Sequence, residues 1–138
     1  MRRLINVCGL PGSGKSTFAE YLAQETGGTA IAADDFFVGP DGQYRFDPLK
    51  IKDAHSECQR RVNEALAVDE DATVIVHNTG TTEWERDVYR ALADLHGAMY
   101  TELCVMSNRT DSTLAARNAH GVPVLKIAEM RRRFAVRL

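Results

Sequence analysis

The chain has 138 residues, of which 17 are lysine or arginine, 19 are aspartate or glutamate and 44% are hydrophobic, and its formal net charge is −2. This length predicts a single domain, residues 1–138, that is large enough to bury its own core. The composition is that of a soluble globular protein, and so small a net charge favours no class of partner.

Cysteine spacing and the lengths of the apolar runs exclude several classes of protein. Cys8, Cys58 and Cys104 are odd in number, far apart and outside any CxxC pattern, which excludes a disulfide framework or a zinc site and favours reduced thiols. The N-terminal "MRRLINVCGLPG" begins like a signal peptide, but its apolar patch breaks early, and no later run approaches the ~20 apolar residues of a membrane span. We therefore expect a cytoplasmic protein with no membrane partner.

Charge is unevenly distributed along the chain. Residues 1–116 hold 11 basic and 18 acidic residues, whereas residues 117–138 hold six and one, so the two parts carry −7 and +5. The basic end is either a phosphate-binding segment or a solvated helix face. Arg131, Arg132 and Arg133 are consecutive, so at most one or two of them point to the same side of a helix.

The first predicted elements are a strand, a helix and a second strand. The apolar run "RLINVC", residues 3–8, is typical of a strand buried on both faces. Residues 16–24 form a helical segment in which Phe18 and Leu22 are four residues apart, and "TGG" ends it. The short run "TAIAA", residues 29–33, predicts the second strand.

Two helices and a strand occupy the middle of the chain. The pair "DP" at residues 47–48 is typical of an N-cap and a first helical turn, and "ATVIVH", residues 72–77, predicts the third strand. Thr82 and Glu85 have the spacing of a capping box, and "HG" ends that helix. The predicted buried faces are Ile51, Ala54, Cys58, Val62 and Ala65 on the first helix, and Trp84, Val88, Leu92 and Leu95 on the second.

The last predicted strand is "AMYTELCVM", residues 98–106, which alternates only in part and is therefore placed nearer an edge of the sheet. Two short helical pieces hinged at "HGVP" follow, with Pro123 in the first turn of the second. The order β-α-β-α-β-α-β-α-α predicts an α/β fold, a parallel sheet with helices on both faces. Such sheets bind ligands at the carboxyl ends of their strands.

The residues between the first strand and the first helix match a phosphate-binding loop. "GLPGSGKS", residues 9–16, fits G-x-x-x-x-G-K-[ST], and its glycines let backbone N–H groups approach a phosphate chain. Lys15 is predicted to neutralise the β- and γ-phosphates of ATP, and the Ser16 hydroxyl to ligate Mg²⁺. Thr17 either helps at the α-phosphate or caps the helix. The predicted nucleotide-binding residues are Gly9, Pro11, Gly12, Ser13, Gly14, Lys15, Ser16 and Thr17.

Two aspartates follow the second predicted strand. Because that strand runs parallel to the first, Asp34 emerges at the phosphate edge of the sheet, where a carboxylate accepts a proton from an incoming hydroxyl or holds Mg²⁺ through water. Asp35 points the other way in an extended segment and is the better candidate for a cap. It is also kept as a substrate-binding candidate.

His77, Asn78 and Thr79 reach the same edge from the third strand. Many P-loop proteins have an aspartate here that orders Mg²⁺, and a neutral imidazole is a poor ligand for so hard an ion. Either Asp34 and Asn78 do that work, or His77 is a core residue bonded to the backbone, which is the preferred interpretation. Asn78 and Thr79 are substrate-binding candidates.

With "GLPGSGKST", "ADDFF", "YRFDP", "VIVHNT" and "ARNAHGVP" in this order, the whole chain resembles the P-loop kinase family that includes the polynucleotide 5′-hydroxyl kinases. Within that family it is most similar to the kinase domains of NEDD4-binding protein 2-like proteins. The resemblance implies an adenylate-kinase-like P-loop NTPase fold, a three-layer sandwich with a C-terminal helical lid at about residues 108–123. It also implies ATP as the phosphate donor and a hydroxyl as the acceptor.

The resemblance assigns three roles residue by residue. Asp34 matches the catalytic aspartate, which acts as general base on the acceptor hydroxyl, and it is also a candidate Mg²⁺ ligand. Asn78 matches an acceptor-side position. Arg117 matches a lid arginine over the donor phosphates, which makes it both a catalytic and a nucleotide-binding candidate.

Two departures from the family pattern concern the metal and the acceptor. Relatives have "DNTN" where this chain has "HNTG", which affects the Mg²⁺ and loop geometry. Phe37 stands where the phage polynucleotide kinase has an arginine near the acceptor, so Arg45 or the arginines at 131–133 are the candidate substitutes. Phe36 and Phe37 either stack on a base or belong to the core, which is the commoner place for adjacent phenylalanines.

Three functions are consistent with these residues. The leading hypothesis is an ATP-dependent kinase that phosphorylates a hydroxyl of DNA or RNA, at a 5′-end or on a modified base, with Lys15, Asp34 and Arg117 as catalytic residues. The second is a kinase for a small-molecule alcohol such as a nucleoside, a sugar or an antibiotic. The third is a catalytically inactive switch that binds ATP to order its lid.

Overall fold

The computed structural model describes residues 1–134, and the end of the basic C-terminal segment, residues 135–138, lies outside the described part. The strands are β1 Arg3–Gly9, β2 Thr29–Ile31, β3 Thr73–His77 and β4 Met99–Val105. The helices are α1 Lys15–Thr26, α2 Ile51–Val68, α3 Glu83–Leu95, α4 Asp111–Arg117 and α5 Val124–Arg133, with two 3-10 turns at Ala33–Phe37 and Pro48–Lys50. All strand pairings within this four-stranded sheet are parallel, in the order β2-β3-β1-β4.

Helices cover both faces of this sheet. In β1, Leu4 packs on the side of α2 and α3, whereas Ile5 and Val7 pack on the side of α1, because successive residues of a strand point to opposite faces. Fully burying one such side chain stabilises the fold by ~1.5–3 kcal/mol, so burial on both faces anchors β1 at the centre. This arrangement confirms the predicted three-layer α/β P-loop NTPase fold.

Parallel pairing brings the carboxyl ends of the strands to one edge of the sheet. β1 lies between β3 and β4, and its Val7 is in register with His77 and with Leu103. β4 is an edge strand, as predicted. Among residues 1–134, no helix has the length and apolar character needed to cross a bilayer. The organisation of residues 1–138 as a single domain stays a prediction.

The second strand is shorter than predicted. It ends at Ile31, and Ala33–Phe37 form a 3-10 turn instead of extending the strand. The Asp35 carboxylate accepts a hydrogen bond from the Ala32 N–H at 3.0 Å, and such local bonds compete with continued strand pairing. The expected extended geometry around Asp34 is therefore wrong, whereas the capping role of Asp35 is confirmed.

The buried face of α3 also differs from the prediction. Trp84 and Leu95 are 70% and 71% exposed, and Arg86, Tyr89 and Ala93 are buried instead. Arg86 enters the core because its guanidinium donates to the Gly80 carbonyl at 2.5 Å and lies 3.5 Å from Glu102. The prediction from the spacing of apolar residues missed this face because it treats arginine as an exposed residue.

The cap of α3 differs as well. The helix begins at Glu83, as expected for Thr82 at the N-cap, but within residues 1–134 the buried Thr82 hydroxyl has no hydrogen-bond partner. The Glu85 carboxylate accepts from the Thr81 N–H at 3.0 Å, one residue earlier than in a capping box. The start of the helix is confirmed, and its capping pattern is wrong.

The faces of α1 and α2 are partly as predicted. Ala54, Cys58 and Val62 are buried and Ala65 is partly buried, whereas Ile51 is 42% exposed; Leu66 completes the buried face. The Asp47 cap is confirmed, since its carboxylate accepts from the Leu49 N–H at 3.0 Å. In α1 the buried residue is Ala19, and Phe18 is 38% exposed.

Candidate active site

The phosphate loop is open on one side and covered on the other. Gly12 and Gly14 have φ angles of 77° and 96°, in the left-handed region that side-chain-bearing residues rarely adopt. A Cβ on Gly14 would meet nothing within 4 Å, whereas one on Gly12 would lie 2.4 Å from the Leu114 carbonyl oxygen. The open side can therefore receive a ligand, and α4 covers the other side.

The open side presents hydrogen-bond donors. α1 begins at Lys15, and the first four N–H groups of a helix have no acceptor within it, so they attract anions together with the helix dipole. The Ser13 hydroxyl points to Gly9 instead, since a Cβ there would lie 2.7 Å from it. The Ser13 N–H donates to the Leu10 carbonyl at 3.1 Å, so the nucleotide contact of Ser13 stays a prediction. The close approach of its hydroxyl explains the glycine at position 9.

Lys15 is half-buried at the start of α1. Burial lowers the pKa of its ammonium group, and the nearby Asp34 carboxylate acts in the opposite direction. Desolvation of a charged group is unfavourable unless a counter-charge approaches. A phosphate bound in the loop would supply that charge, which fits the predicted role of Lys15.

Ser16 and Asp34 offer oxygen ligands at this edge. A hydroxyl and a carboxylate are hard donors of the type that Mg²⁺ prefers, and this ion usually binds one or two carboxylates together with phosphates and water. No group of three or more His, Cys, Asp or Glu residues in the described part of the chain can hold a metal ion by itself. The residues therefore fit an Mg²⁺ ion shared with a nucleotide, and both ligand assignments stay predictions.

Asp34 lies where three segments meet. The Tyr44 hydroxyl, from the loop before α2, donates to its Oδ1 at 3.2 Å, and the His120 Nε2, from the connection between α4 and α5, lies 3.3 Å from its Oδ2. The Tyr44 and His120 rings pack with centroids 4.4 Å apart. The Asp34 side chain is still 48% exposed, so a further ligand can reach it.

Burial and the charge of Asp34 raise the pKa of the Tyr44 hydroxyl, which therefore keeps its proton and remains a donor. Sequence reasoning did not select Tyr44 or His120 as site residues. Both stand in quoted motifs, "YRFDP" and "ARNAHGVP", but nothing in their spacing shows that they meet at Asp34. Only the return of the chain across the sheet edge brings them together.

α4 lies against the phosphate loop, inside the predicted lid. The Arg117 Nε donates to the Gly12 carbonyl at 3.2 Å, and Leu114 and Ile127 pack with Leu10 in a buried cluster. Arg131 of α5 bonds to Asp111 at 2.8 Å. Arg117 is therefore beside the loop that would hold the donor phosphates, and its catalytic role stays a prediction.

The other acceptor-side candidates have partners in the protein. The Asn78 Oδ1 accepts from the Ala33 N–H at 2.9 Å, and its amide lies 3.4 Å from the Tyr89 hydroxyl. Asp35 accepts from Arg61 at 3.0 Å in addition to its cap. The Thr79 carbonyl accepts from the Gly9 N–H at 3.1 Å, which joins β3 to the phosphate loop. Substrate contacts of Asp35, Asn78 and Thr79 stay predictions.

His77 ends β3 beside β1. Burial lowers the pKa of its imidazole, which is opposed by the charges of Asp35 and Asp34, while Lys15 acts with burial. The preferred interpretation from the sequence is a core histidine that bonds to the backbone. It is wrong for the Nδ1 atom, because this buried nitrogen has no hydrogen-bond partner within residues 1–134. Because a neutral imidazole is a poor ligand for Mg²⁺, the candidate ligands remain the oxygen atoms of Ser16 and Asp34.

A cavity of about 470 Å³ lies beside the 3-10 turn that carries Asp34. Phe36 and Phe46, which line it, are 39% and 51% exposed, and Phe37 between them is buried. Of the adjacent phenylalanines, only Phe37 is thus a core residue. Arg45, a predicted substrate-binding residue, also lines the cavity and is paired with Asp41 at 2.6 Å.

Two arginines of α5, Arg131 and Arg133, have structural partners. Arg131 donates to the Arg109 carbonyl at 2.9 Å in addition to Asp111, and the Arg133 Nε donates to the Thr81 hydroxyl at 2.9 Å. These bonds hold α5 to the lid and to the start of α3. Arg45 is likewise paired, with Asp41, so the substitute for the acceptor-side arginine stays a prediction.

The loop, the half-buried lysine and the covering helix are those of a P-loop protein of the kinase type. The family model described as "AAA domain" matches residues 4–136, and the chain belongs to this family. The chain is also 35% identical over 130 residues to NEDD4-binding protein 2 of Homo sapiens, which confirms the resemblance found in the sequence. The match covers 92% of this chain and 7% of that protein, so the chain spans a small part of its relative.

Solved structures share the fold. A gluconokinase from Sinorhizobium meliloti 1021 has a TM-score of 0.65 at 20% identity, with 99% of this chain and 78% of that chain covered. A chain of the Pnkp1/Rnl/Hen1 RNA repair complex has a TM-score of 0.73 at 19% identity, with 96% and 44% covered. A sugar kinase from Janibacter sp. HTCC2649 has a TM-score of 0.64 at 19% identity, with 100% and 80% covered. At these identities the likeness shows the fold alone.

Proposed function

We propose that the chain is an ATP-dependent kinase that transfers the γ-phosphate of ATP to a hydroxyl of a nucleic acid, at a 5′-end or on a modified base, in the cytoplasm. The observation that carries the proposal is the placement of Asp34. Its carboxylate lies at the same sheet edge as the phosphate loop, is half-exposed, and acts on the pKa of Lys15. The proximity of the Asp34 carboxylate to the Lys15 ammonium supports their proposed roles as general base and phosphate-binding lysine.

The transfer step uses these residues as follows. The backbone N–H groups of the loop and the Lys15 ammonium hold the β- and γ-phosphates, and Arg117 offsets the charge that develops on them. Asp34 takes the proton of the acceptor hydroxyl while the oxygen of that hydroxyl attacks the γ-phosphorus. The bond between the γ-phosphorus and the β-phosphate oxygen breaks, and ADP leaves. Mg²⁺, held by Ser16 and Asp34, would neutralise phosphate charge.

The cavity at Phe36 and Phe46 supports a polynucleotide acceptor. Exposed aromatic rings stack on bases without sequence preference, and each stacked base contributes ~1–3 kcal/mol. Arg45 and Lys50 line the same cavity and supply positive charge, which is partly offset by Asp47 in the lining and by the pairing of Arg45 with Asp41. Phe36 follows Asp34 by two residues in a 3-10 turn, which places them ~4 Å apart along its axis. Asp34 does not itself line the cavity, so a nucleotide stacked there must extend past the turn to bring its hydroxyl to the carboxylate.

A small-molecule acceptor is the second candidate. The acidic residues that outnumber the basic ones in residues 1–116 offer little to a long polyanion, and two of the structures that share the fold are named as a gluconokinase and a sugar kinase. Salt separates the two candidates, because binding of a polynucleotide weakens steeply as salt rises and binding of a neutral alcohol does not. An inactive nucleotide-binding switch, to which His77 lends support, predicts ATP binding without transfer.

The test is an acceptor panel with γ-labelled ATP and Mg²⁺. The acceptors are 5′-hydroxyl DNA and RNA, DNA with hydroxymethylated bases, a nucleoside mixture and gluconate. Label on a polynucleotide, reduced by Phe46→Ala and by added salt, supports the proposal. Label on the small alcohols alone selects the second candidate, and ATP binding with no labelled acceptor selects the switch.

A further inference from the structure

The connection between α4 and α5 touches both sides of the candidate site. At the end of α4, Arg117 donates to the carbonyl of Gly12 in the phosphate loop at 3.2 Å. Three residues later, the His120 Nε2 lies 3.3 Å from Asp34 Oδ2. One short stretch of chain, residues 117–121, therefore contacts both the loop for the donor phosphates and the candidate base.

The side chain of Asn118 braces this stretch. Its Nδ2 donates to the Ala115 carbonyl at 2.8 Å and to the Val122 carbonyl at 3.2 Å, and its Oδ1 accepts from the N–H groups of His120 at 3.2 Å and Val122 at 2.8 Å. These bonds supply partners to a helix end and a turn that would otherwise lack them. Gly121, with a φ of 70°, allows the turn that returns Val122 to the amide.

Tyr44 holds Asp34 from the other side. Its hydroxyl donates to Oδ1 at 3.2 Å, and its ring packs against the ring of His120. Each carboxylate oxygen thus contacts a side chain from a different segment, which limits rotation of the carboxylate. An ionised carboxylate has about four lone-pair sites, so these two contacts leave room for an acceptor hydroxyl.

We propose that residues 117–121 form a strut that couples occupation of the phosphate loop to the orientation of Asp34. Arg117 responds to the donor phosphates, Asn118 fixes the distance between its neighbours, and His120 is a positioning residue for the carboxylate. A ligand shifts a conformational equilibrium only through contacts that differ between the two states. Here the two states are the loop with and without donor phosphates, and the contact that differs is that of the Arg117 guanidinium with phosphate. The strut rests on the proposed function where it takes Asp34 as the base and takes ATP to bind in the phosphate loop.

The first test needs no acceptor. Long-range ¹H–¹⁵N NMR follows His120 Nε2 with and without a non-hydrolysable ATP analogue, in the wild type and in Asn118→Ala. His96, whose Nε2 lies 2.7 Å from Asn63 Oδ1, is the matched internal control because it follows α3 at the opposite end of the strands. We expect the analogue to shift His120 in the wild type, to leave His96 unchanged, and to shift His120 much less in Asn118→Ala.

A His120 signal that ignores the analogue, or that shifts equally in both proteins, overturns the strut. If Asn118→Ala does not fold, Asn118→Asp serves in its place, since it keeps the acceptor oxygen and loses the Nδ2 donors. A His120 shift that is reduced in Asn118→Asp supports the strut, and a shift equal to that of the wild type overturns it.

The second test separates positioning from folding. In His120→Gln the amide nitrogen replaces Nε2 at a similar reach, whereas in His120→Asn the side chain is too short. We expect His120→Asn to lower kcat by roughly 10- to 100-fold, the cost of a small misplacement, while the KM for ATP changes less than about twofold. His120→Gln should recover most of kcat.

Equal losses in the two His120 variants, or a loss confined to the KM for ATP, contradict the positioning role. The two tests also keep the proposals apart. If the wild type phosphorylates no acceptor, the proposed function fails, and the response of His120 to the analogue still decides whether the strut exists.

Discussion

Gly12 is a point of close contact between α4 and the phosphate loop, where the Arg117 Nε donates to its carbonyl at 3.2 Å. A Cβ at this position would lie 2.4 Å from the Leu114 carbonyl oxygen, and a tolerable separation is 3.0–3.4 Å, so in Gly12→Ala α4 must retreat by about 0.6–1.0 Å. The positive φ of 77° adds a backbone cost of ~1–2 kcal/mol for any side-chain-bearing residue. The substitution therefore combines local strain with displacement of the lid.

Gly97→Ala separates the two effects. Gly97 has a φ of 63°, and a Cβ there would meet nothing within 4 Å, so this variant carries the strain without the displacement. In urea titrations we expect Gly97→Ala to lose ~1–2 kcal/mol of the free energy of unfolding from the backbone strain, and Gly12→Ala to lose more because the clash with Leu114 is added. A misplacement of ~1 Å at a catalytic group costs up to ~10²-fold, so only Gly12→Ala should lose activity on that scale.

The assay is phosphate transfer at saturating ATP, together with ATP binding by calorimetry. Equal activities of the two variants, once each is shown to be folded, would refute the reasoning, because contact of α4 with the loop would then have no catalytic consequence. A loss of activity in Gly97→Ala as large as that in Gly12→Ala would refute it too.

Three further predictions follow from burial and charge. Arg86→Ala removes a guanidinium that is 1% exposed and paired with Gly80 and Glu102. We expect the free energy of unfolding to fall by ~3 kcal/mol, and a fall below ~1 kcal/mol would contradict the stabilising role of this pairing. Burial raises the pKa of the Cys8 thiol to about 12, so a thiol reagent at about pH 8 should label Cys8 only after unfolding, and rapid labelling of the folded protein contradicts its burial. Burial lowers the pKa of Lys15, so its ammonium loses its charge at a lower pH than that of an ordinary lysine, and the affinity for ATP should decline as the pH rises through that range. The variant Lys15→Arg stays charged and should not show this decline. The same decline in both proteins would contradict the assignment of Lys15 to phosphate binding.

The fold was predictable because its signals are local. The buried strand of residues 3–8, the glycine loop and the helix that starts at Lys15 follow one another without interruption, and the order of elements leaves few topologies for a parallel sheet. The edge position of β4 followed from its partial alternation. These features depend on neighbours in sequence, which pattern reasoning can read.

The errors have a common physical cause. The second strand ended early because the Asp35 side chain bonds to its own backbone, and α3 turned a different face inward because Arg86 found buried partners. In both places a polar group met a partner that hydrophobic periodicity does not count. Burial of a charged residue depends on groups from other elements, which the local sequence does not specify.

The candidate site was predictable only in part. The phosphate loop follows from motif spacing, Asp34 from the geometry of the parallel sheet and Arg117 from the resemblance to the kinase family, and the structure places all three at one edge. Tyr44 and His120 stand 10 and 86 residues from Asp34 in the chain, and their meeting requires the lid to fold over the sheet. Residues that act by supporting a catalytic group leave no spacing pattern of their own.

The most direct test of the central claim is the rate of phosphate transfer by Asp34→Asn, with Asp35→Asn as the matched control and ATP binding measured in parallel. If Asp34 is the general base, Asp34→Asn should bind ATP and transfer phosphate roughly 10²–10⁴ times more slowly. Asp35→Asn should lose stability, because Asp35 caps the turn and pairs with Arg61, and should lose far less activity than Asp34→Asn. An Asp34→Asn protein that transfers phosphate at the wild-type rate would contradict the account.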